Sequence, residues 1–172
     1  MLRRKSIRLA PTTYRGKQIY FITICTDHRR RIFADHSRGF WLIENLLATA
    51  AAHDLLLHAY CVMPDHLHLL LEGLKGSTEL LPLLHSFKQQ TGFAYQSHTR
   101  NRLWQRHFYD HVLRKPGDAE TIAWYIWLNP VRRNLCVAPQ QYPLSGSQTI
   151  DWKSRCPPAP SWLPPWKAKL PS

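Results

Sequence analysis

Acidic residues are scarce in this chain. Against 23 Lys and Arg stand only 11 Asp and Glu, for a formal charge of +12 and a pI near 10.0. A surface so charged is unsuited to cationic partners and favours a polyanion, of which nucleic acid is the commonest. Cysteine is sparse as well. Cys25, Cys61, Cys136 and Cys156 lack the paired spacing of a zinc ribbon, and Cys25 and Cys61 fall inside apolar, strand-like runs. They read as reduced core thiols of a cytosolic protein, not as a disulfide framework. No apolar run has the length of a membrane span, and the basic start is not followed by the apolar stretch of a signal peptide. There is no internal repeat.

What is present suits one domain with a real core, since 172 residues fall in the ordinary range. A basic arm, Leu2 to Arg8, opens the chain. Ile19 to Thr26 is rich in β-branched and aromatic residues and predicts a central strand. A polar turn, Asp27 to Arg31, then carries three arginines. Phe40, Ile43, Leu46, Leu47 and Ala50 recur at helical spacing, which predicts a helix from about Gly39 to His53. Leu55 to Val62 reads as a strand that turns through Pro64-Asp65 into a second one, making a hairpin. Another helix is expected from Ser77 or Thr78 to about Ser97, with Lys88 on its outer side. A strand follows over Trp104 to Arg114. The last helix is expected to be capped by Asp118 and to stop near Asn129-Pro130, because the residue before proline resists helical geometry. From about residue 139 prolines accumulate, so residues 1–138 are expected as the domain and 139–172 as a Pro/Trp-rich tail. Its tryptophans (Trp152, Trp162, Trp166) are expected to dock on the domain rather than stack on bases. The order strand, helix, hairpin, helix, strand, helix is that of an α+β sheet with helices packed on one face.

One stretch stands out from this frame. In Met63-Pro64-Asp65-His66-Leu67-His68-Leu69-Leu70, a strand would aim His66, His68 and Leu70 one way and Leu67, Leu69 and Leu71 the other. Two imidazoles one pleat apart on a buried strand need polar partners. They are either a metal clamp or a pair satisfied by neighbouring carbonyls; spacing alone leaves both open. On the last helix, Tyr125 and Asn129 lie four residues apart at the edge of the packing stripe formed by Ala119, Ile122, Ala123 and Ile126.

These blocks carry a resemblance. Met63 to Leu69 is similar to the histidine–hydrophobe–histidine (HUH) motif of single-tyrosine transposases. Leu103 to Arg114 and Tyr125 to Arg133 resemble two further blocks of the REP-associated tyrosine transposases, a branch of that IS200-like group. The likeness runs over roughly residues 3 to 145. Two departures, Asp65 where Asn is more usual and Arg133-Asn134 where Ala-Gly is commoner, are expected not to touch the chemistry.

The resemblance implies a ferredoxin-like or RRM-like antiparallel sheet of the HUH endonuclease type. It implies Tyr125 as nucleophile, His66, His68 and Asn129 as ligands of a divalent metal (Mg²⁺ or Mn²⁺), and a 5′-phosphotyrosine intermediate with a free 3′-hydroxyl. The implied partner is single-stranded DNA beside a palindromic hairpin, bound in the bacterial cytoplasm at the nucleoid by a monomer or a homodimer, with no membrane involved. Arg3, Arg4, Arg8, Lys88, Arg114, Arg132 and Arg133 are the candidate phosphate contacts. Rival readings are a histidine-triad hydrolase, excluded by Leu70 at the third position, a zinc module, and a non-catalytic DNA-hairpin-binding protein on the same fold. The charge predicts a steep salt effect. With about six phosphate contacts, affinity for single-stranded DNA should fall roughly 300-fold between 50 and 200 mM salt; a flat salt titration would contradict it.

Overall fold

The structure, a computed structural model, describes residues 14–113 and 119–162. Its chain order is β1 (Ile19–Thr26), α1 (His36–Ala52), β2 (Leu55–Met63), β3 (His66–Gly73), α2 (Leu80–Thr99), β4 (Trp104–Val112), α3 (Ala119–Trp127), α4 (Asn129–Arg132) and β5 (Ser145–Gly146). The strands form one antiparallel sheet in the order β4-β1-β3-β2-β5. Its first four strands, with α1 and α2, have the ferredoxin-like arrangement expected of the β-α-β-β-α-β order. Among the described residues no helix is long and apolar enough to cross a membrane.

Alternation explains the layers. Ile22, Ile24, Leu67, Leu69 and Leu71 point to one face and are buried, together with Leu42, Leu46, Leu83 and Phe87 of α1 and α2. This is the helical layer that periodicity foretold. Phe21, Thr23, His66, His68 and Leu70 point to the other face, which α3 crosses by packing on β2 and β3. Helices therefore lie on both sides of the sheet, with α3 on the histidine side.

Local chemistry shifts several boundaries. The first long helix starts at His36 rather than Gly39, because Asp35 caps it by accepting from Ser37 N at 3.0 Å. The second starts at Leu80, since Thr78 is held outside it by bonds to Lys75 N (3.0 Å) and Asp54 O (3.4 Å). The last helix ends at Trp127, and Pro130 sits in the first turn of the separate α4, where its missing N–H costs nothing. The expected cap, Asp118, lies outside the described residues.

The proline-rich segment folds back onto the sheet. Ser145–Gly146 pairs with β2, Tyr142 donates to Val62 O at 2.8 Å, and Tyr142, Leu144 and Trp152 join the core. Trp152 stacks on Trp127 with centroids 4.7 Å apart and planes 12° apart. Docking, the expected role of these tryptophans, holds for Trp152, and Trp162 packs partly buried on the same core; Trp166 lies outside the described residues. The described part of this segment is thus continuous with the domain's core. All four cysteines are free. Cys61 is buried, and burial pushes its thiol up to about 12, while Cys25 is only half-buried, short of the core position expected for it.

Trp152→Ala should therefore destabilise the protein by about 3–5 kcal/mol in urea unfolding. Val137→Ala, at a fully solvated position, should stay within about 0.5 kcal/mol. A Trp152→Ala loss below about 1 kcal/mol would mean that the segment is not part of the core.

Candidate active site on the sheet

β3 is flanked on both sides, by β1 and β2, so its register is fixed at every residue. Thr23 and Cys61 stand opposite His68, and Cys25 and Met63 stand opposite His66. Both imidazoles are buried, and their Nε2 atoms converge to 3.0 Å. Each ring is held from behind through Nδ1, His66 by Asp65 Oδ1 at 2.6 Å and His68 by Thr23 Oγ1 at 2.8 Å. Desolvation holds the His66 imidazole below its ordinary value, opposed by Asp65 and reinforced by the charges of Arg29 and Arg133.

The supports are themselves supported. Thr26 N donates to Asp65 O at 3.0 Å, with Thr26 Oγ1 at 2.9 Å from the same oxygen, and Phe33 N donates to Pro64 O at 3.0 Å. Arg29 closes the ring with an ion pair to Asp65 (3.1 Å) and a bond to Cys25 Sγ (2.9 Å). Reaching back in this way puts His28 and Arg29 at φ of 53° and 56°, a conformation that costs non-glycine residues about 1 kcal/mol or more each. Asp65, one of the two departures from the resembled motif, thus sets its carboxylate against the His66 ring. A carboxylate in place of an amide makes a stronger, charge-assisted bond to the ring N–H.

From α3, Tyr125 enters the same cluster. Its ring lies edge-on to His68 (centroids 6.2 Å) and to Phe21 (5.9 Å), and Phe21 stacks on His68 at 5.7 Å. The structure thus gathers Tyr125, His66 and His68 on one face. Asn129 opens α4, just past the end of α3, and its Nδ2 donates to Tyr125 O at 2.7 Å and to Ile126 O at 3.3 Å.

Of the seven basic candidates, Arg133 lies close enough for its charge to act on His66. Arg132 is committed instead. Its guanidinium covers the Tyr125 ring at 5.1 Å and donates to Tyr125 O (3.1 Å), Pro160 O (3.3 Å) and Trp162 O (2.7 Å). Lys88 is on the opposite side of the sheet with Nζ bonded to Gln105 O (2.8 Å) and Arg106 O (3.1 Å), not turned outward as its helical position suggested. Arg3, Arg4, Arg8 and Arg114 lie outside the described residues. Spacing along the chain gave no sign of Thr23 or Phe21 as site residues, because only strand pairing puts them beside His68.

The donor set can be tested against a divalent cation. Among the described residues no group of three or more His, Cys, Asp or Glu forms a ready metal cage. Two converging Nε2 atoms, each ring fixed through Nδ1 by a carboxylate or hydroxyl, are nevertheless the arrangement of metal-binding histidines. The Asn129 amide has its NH₂ anchored on the backbone of Tyr125 and Ile126. These residues fit a metal that leaves positions open for substrate oxygens.

The fold and site together define an α+β protein with a ferredoxin-like sheet that faces a buried imidazole pair toward an aromatic helix. The chain belongs to the IS200-like transposases: the family model, "Transposase IS200 like", matches residues 15–126, a span that includes both histidines and Tyr125 and stops short of Asn129. The family cleaves and moves DNA and generally works with divalent metal. Among relatives, a Haemophilus influenzae protein named as a candidate REP-associated tyrosine transposase is 28% identical over 139 residues, covering 74% of this chain and 78% of that one. An Escherichia coli REP-associated tyrosine transposase is 26% identical over 104 residues, covering 56% and 61%. In fold, the chain is similar to a REP-associated tyrosine transposase solved bound to a REP hairpin, with a TM-score of 0.68 at 20% identity over 82% of this chain and 81% of that one.

Removing the Arg132 bonds should release the segment they hold. Arg132→Ala is expected to speed amide exchange across residues 155–162 by about tenfold or more while β1 and β3 stay protected. Unchanged exchange there would show that Arg132 is not its anchor.

Proposed function

We propose that this transposase nicks single-stranded DNA beside a palindromic hairpin by attack of the Tyr125 hydroxyl on a phosphate gripped at His66 and His68. The observation that carries the reading is the position of Tyr125, edge-on to the ring of His68, whose Nε2 lies 3.0 Å from that of His66 while the other nitrogen of each ring is clamped. The structurally similar REP-associated tyrosine transposase was solved bound to a REP hairpin, and the +12 charge of this chain suits a nucleic-acid partner.

His66 and His68, with Asn129, would hold the metal, Mg²⁺ or Mn²⁺. When bound, it supplies Lewis-acid polarisation of the phosphate. Imidazole donors favour Mn²⁺ over Mg²⁺. The chain's own groups do the rest. α3 delivers the Tyr125 oxygen to phosphorus, a bond forms between them, and the bond from phosphorus to the 3′-oxygen breaks. The phenol gives up its proton, the leaving oxygen gains one to become the free 3′-hydroxyl of the upstream strand, and the downstream strand stays on the enzyme through its 5′-phosphate as a phosphotyrosine ester. The ester keeps the energy of the DNA bond, so a second 3′-hydroxyl can rejoin the strand without ATP. Asp65 and Thr23 keep both rings aimed during this exchange, and Arg133 adds positive charge beside the phosphate.

Tyr125→Phe should retain affinity for a hairpin oligonucleotide with a single-stranded flank while losing nicking by about 10³-fold or more. Nicking by Tyr125→Phe at the wild-type rate would overturn the assignment. Asp65→Ala and Thr23→Val should each weaken Mn²⁺ binding about 10–100-fold by calorimetry, as loss of an outer-shell partner does. Equal affinities would leave the imidazole pair as a structural feature only.

A further inference from the structure

Among the described residues, the face that carries the histidines is covered over only part of its width. α3 packs over β2 and β3, while β1 and the edge strand β4 extend the same face outward. Along β4, Asp110 points to the opposite face, where the Tyr14 hydroxyl donates to its Oδ2 at 2.6 Å. That bond fixes the strand's facing, and alternation turns Tyr109 and His111 to the histidine side. Register agrees: Thr23 stands opposite both His68 and Tyr109, and Phe21 opposite both Leu70 and His111.

Exposure rises in steps along this row. His68 is 7% exposed, Thr23 is half-buried, and Tyr109 is 62% exposed. What sets Tyr109 apart from other exposed apolar residues is its place on the edge strand, in register with Thr23 and so on the face of His68. Tyr109 is two strand spacings from His68, about 10 Å away. At about 3.4 Å per stacked nucleotide, that is the reach of roughly three nucleotides.

The neighbourhood selects the occupant. A ring open on one face, beside a site flanked by Arg29 and Arg133 and on a chain of charge +12, matches a strand that is anionic along its backbone and aromatic in its bases. Stacking of bases on exposed aromatics is how proteins hold single strands with little sequence preference.

We propose that Tyr109 is a stacking platform for a base of the substrate strand, within about three nucleotides of the phosphate held at His66 and His68, with His111 beside it. This rests on the nuclease reading for the position of the phosphate. Tyr109 acts by positioning the strand, and its ring face, not its hydroxyl, does so.

The test uses the full chain and a fluorescein-labelled single strand of twenty thymidines, followed by anisotropy. Tyr109→Ala should weaken binding about tenfold, while Tyr109→Phe and Tyr109→Trp stay within about twofold of wild type. On a hairpin substrate, Tyr109→Ala should raise KM with little change in kcat. The proposal is overturned if Tyr109→Ala binds as tightly as wild type, if Tyr109→Phe loses as much as Tyr109→Ala, or if wild type does not bind the thymidine strand. The nuclease reading is judged separately. If the Tyr109 series behaves as expected but no variant or wild type nicks, the platform stands and the nuclease reading falls. If Tyr109→Phe abolishes nicking, Tyr109 is the nucleophile and both readings fall.

Discussion

Two imidazoles on the buried central strand are the constraint around which this structure is arranged. A buried polar ring without a partner costs several kcal/mol, and here two of them face each other at 3.0 Å. The sheet satisfies both from behind, with Asp65 from the hairpin turn and Thr23 from the neighbouring strand. Thr26, Phe33 and Arg29 in turn fix Asp65 and its turn. With the outer nitrogens engaged, the inner ones keep one direction. Groups held by rigid strands and outer partners are placed more accurately than groups on loops.

The tyrosine is placed by a different part of the chain. α3 is short, and its position on the sheet depends on the segment C-terminal to it. Trp127 stacks on Trp152 and donates to Gly146 O, Arg155 pairs with Glu120 at 2.5 Å, and Arg132 ties Tyr125 O to the carbonyls of Pro160 and Trp162. The accuracy of Tyr125 relative to the histidines is therefore inherited from residues about twenty to forty positions later in sequence. That gives the proline- and tryptophan-rich segment a physical role: proline limits its conformations, and the indoles bury the area that seats it.

Much of this was legible in the sequence. β1 and the hairpin follow from alternation and turn chemistry, the long helices from apolar spacing, and the pairing of histidine strand with tyrosine helix from three ordered blocks. What was not legible depends on which surfaces meet. Lys88 has the spacing of a solvent-facing residue, yet β4 places two carbonyls beneath it, and burial pushes its ammonium below its ordinary value. Arg132 has the look of a phosphate contact until the backbone of residues 160 and 162 arrives to take its donors. Asp65 reads as a neutral exchange for Asn until the fold sets it against His66. Each was a question of tertiary hydrogen-bond demand, which no spacing along one chain reports.

One covalent link decides the mechanism. Full-length protein incubated with a hairpin oligonucleotide and Mn²⁺, digested with nuclease and trypsin and analysed by tandem mass spectrometry, should yield a nucleotide phosphoester on Tyr125. The same adduct on Tyr109 or Tyr95, or strand cleavage with no adduct on any tyrosine, would contradict it.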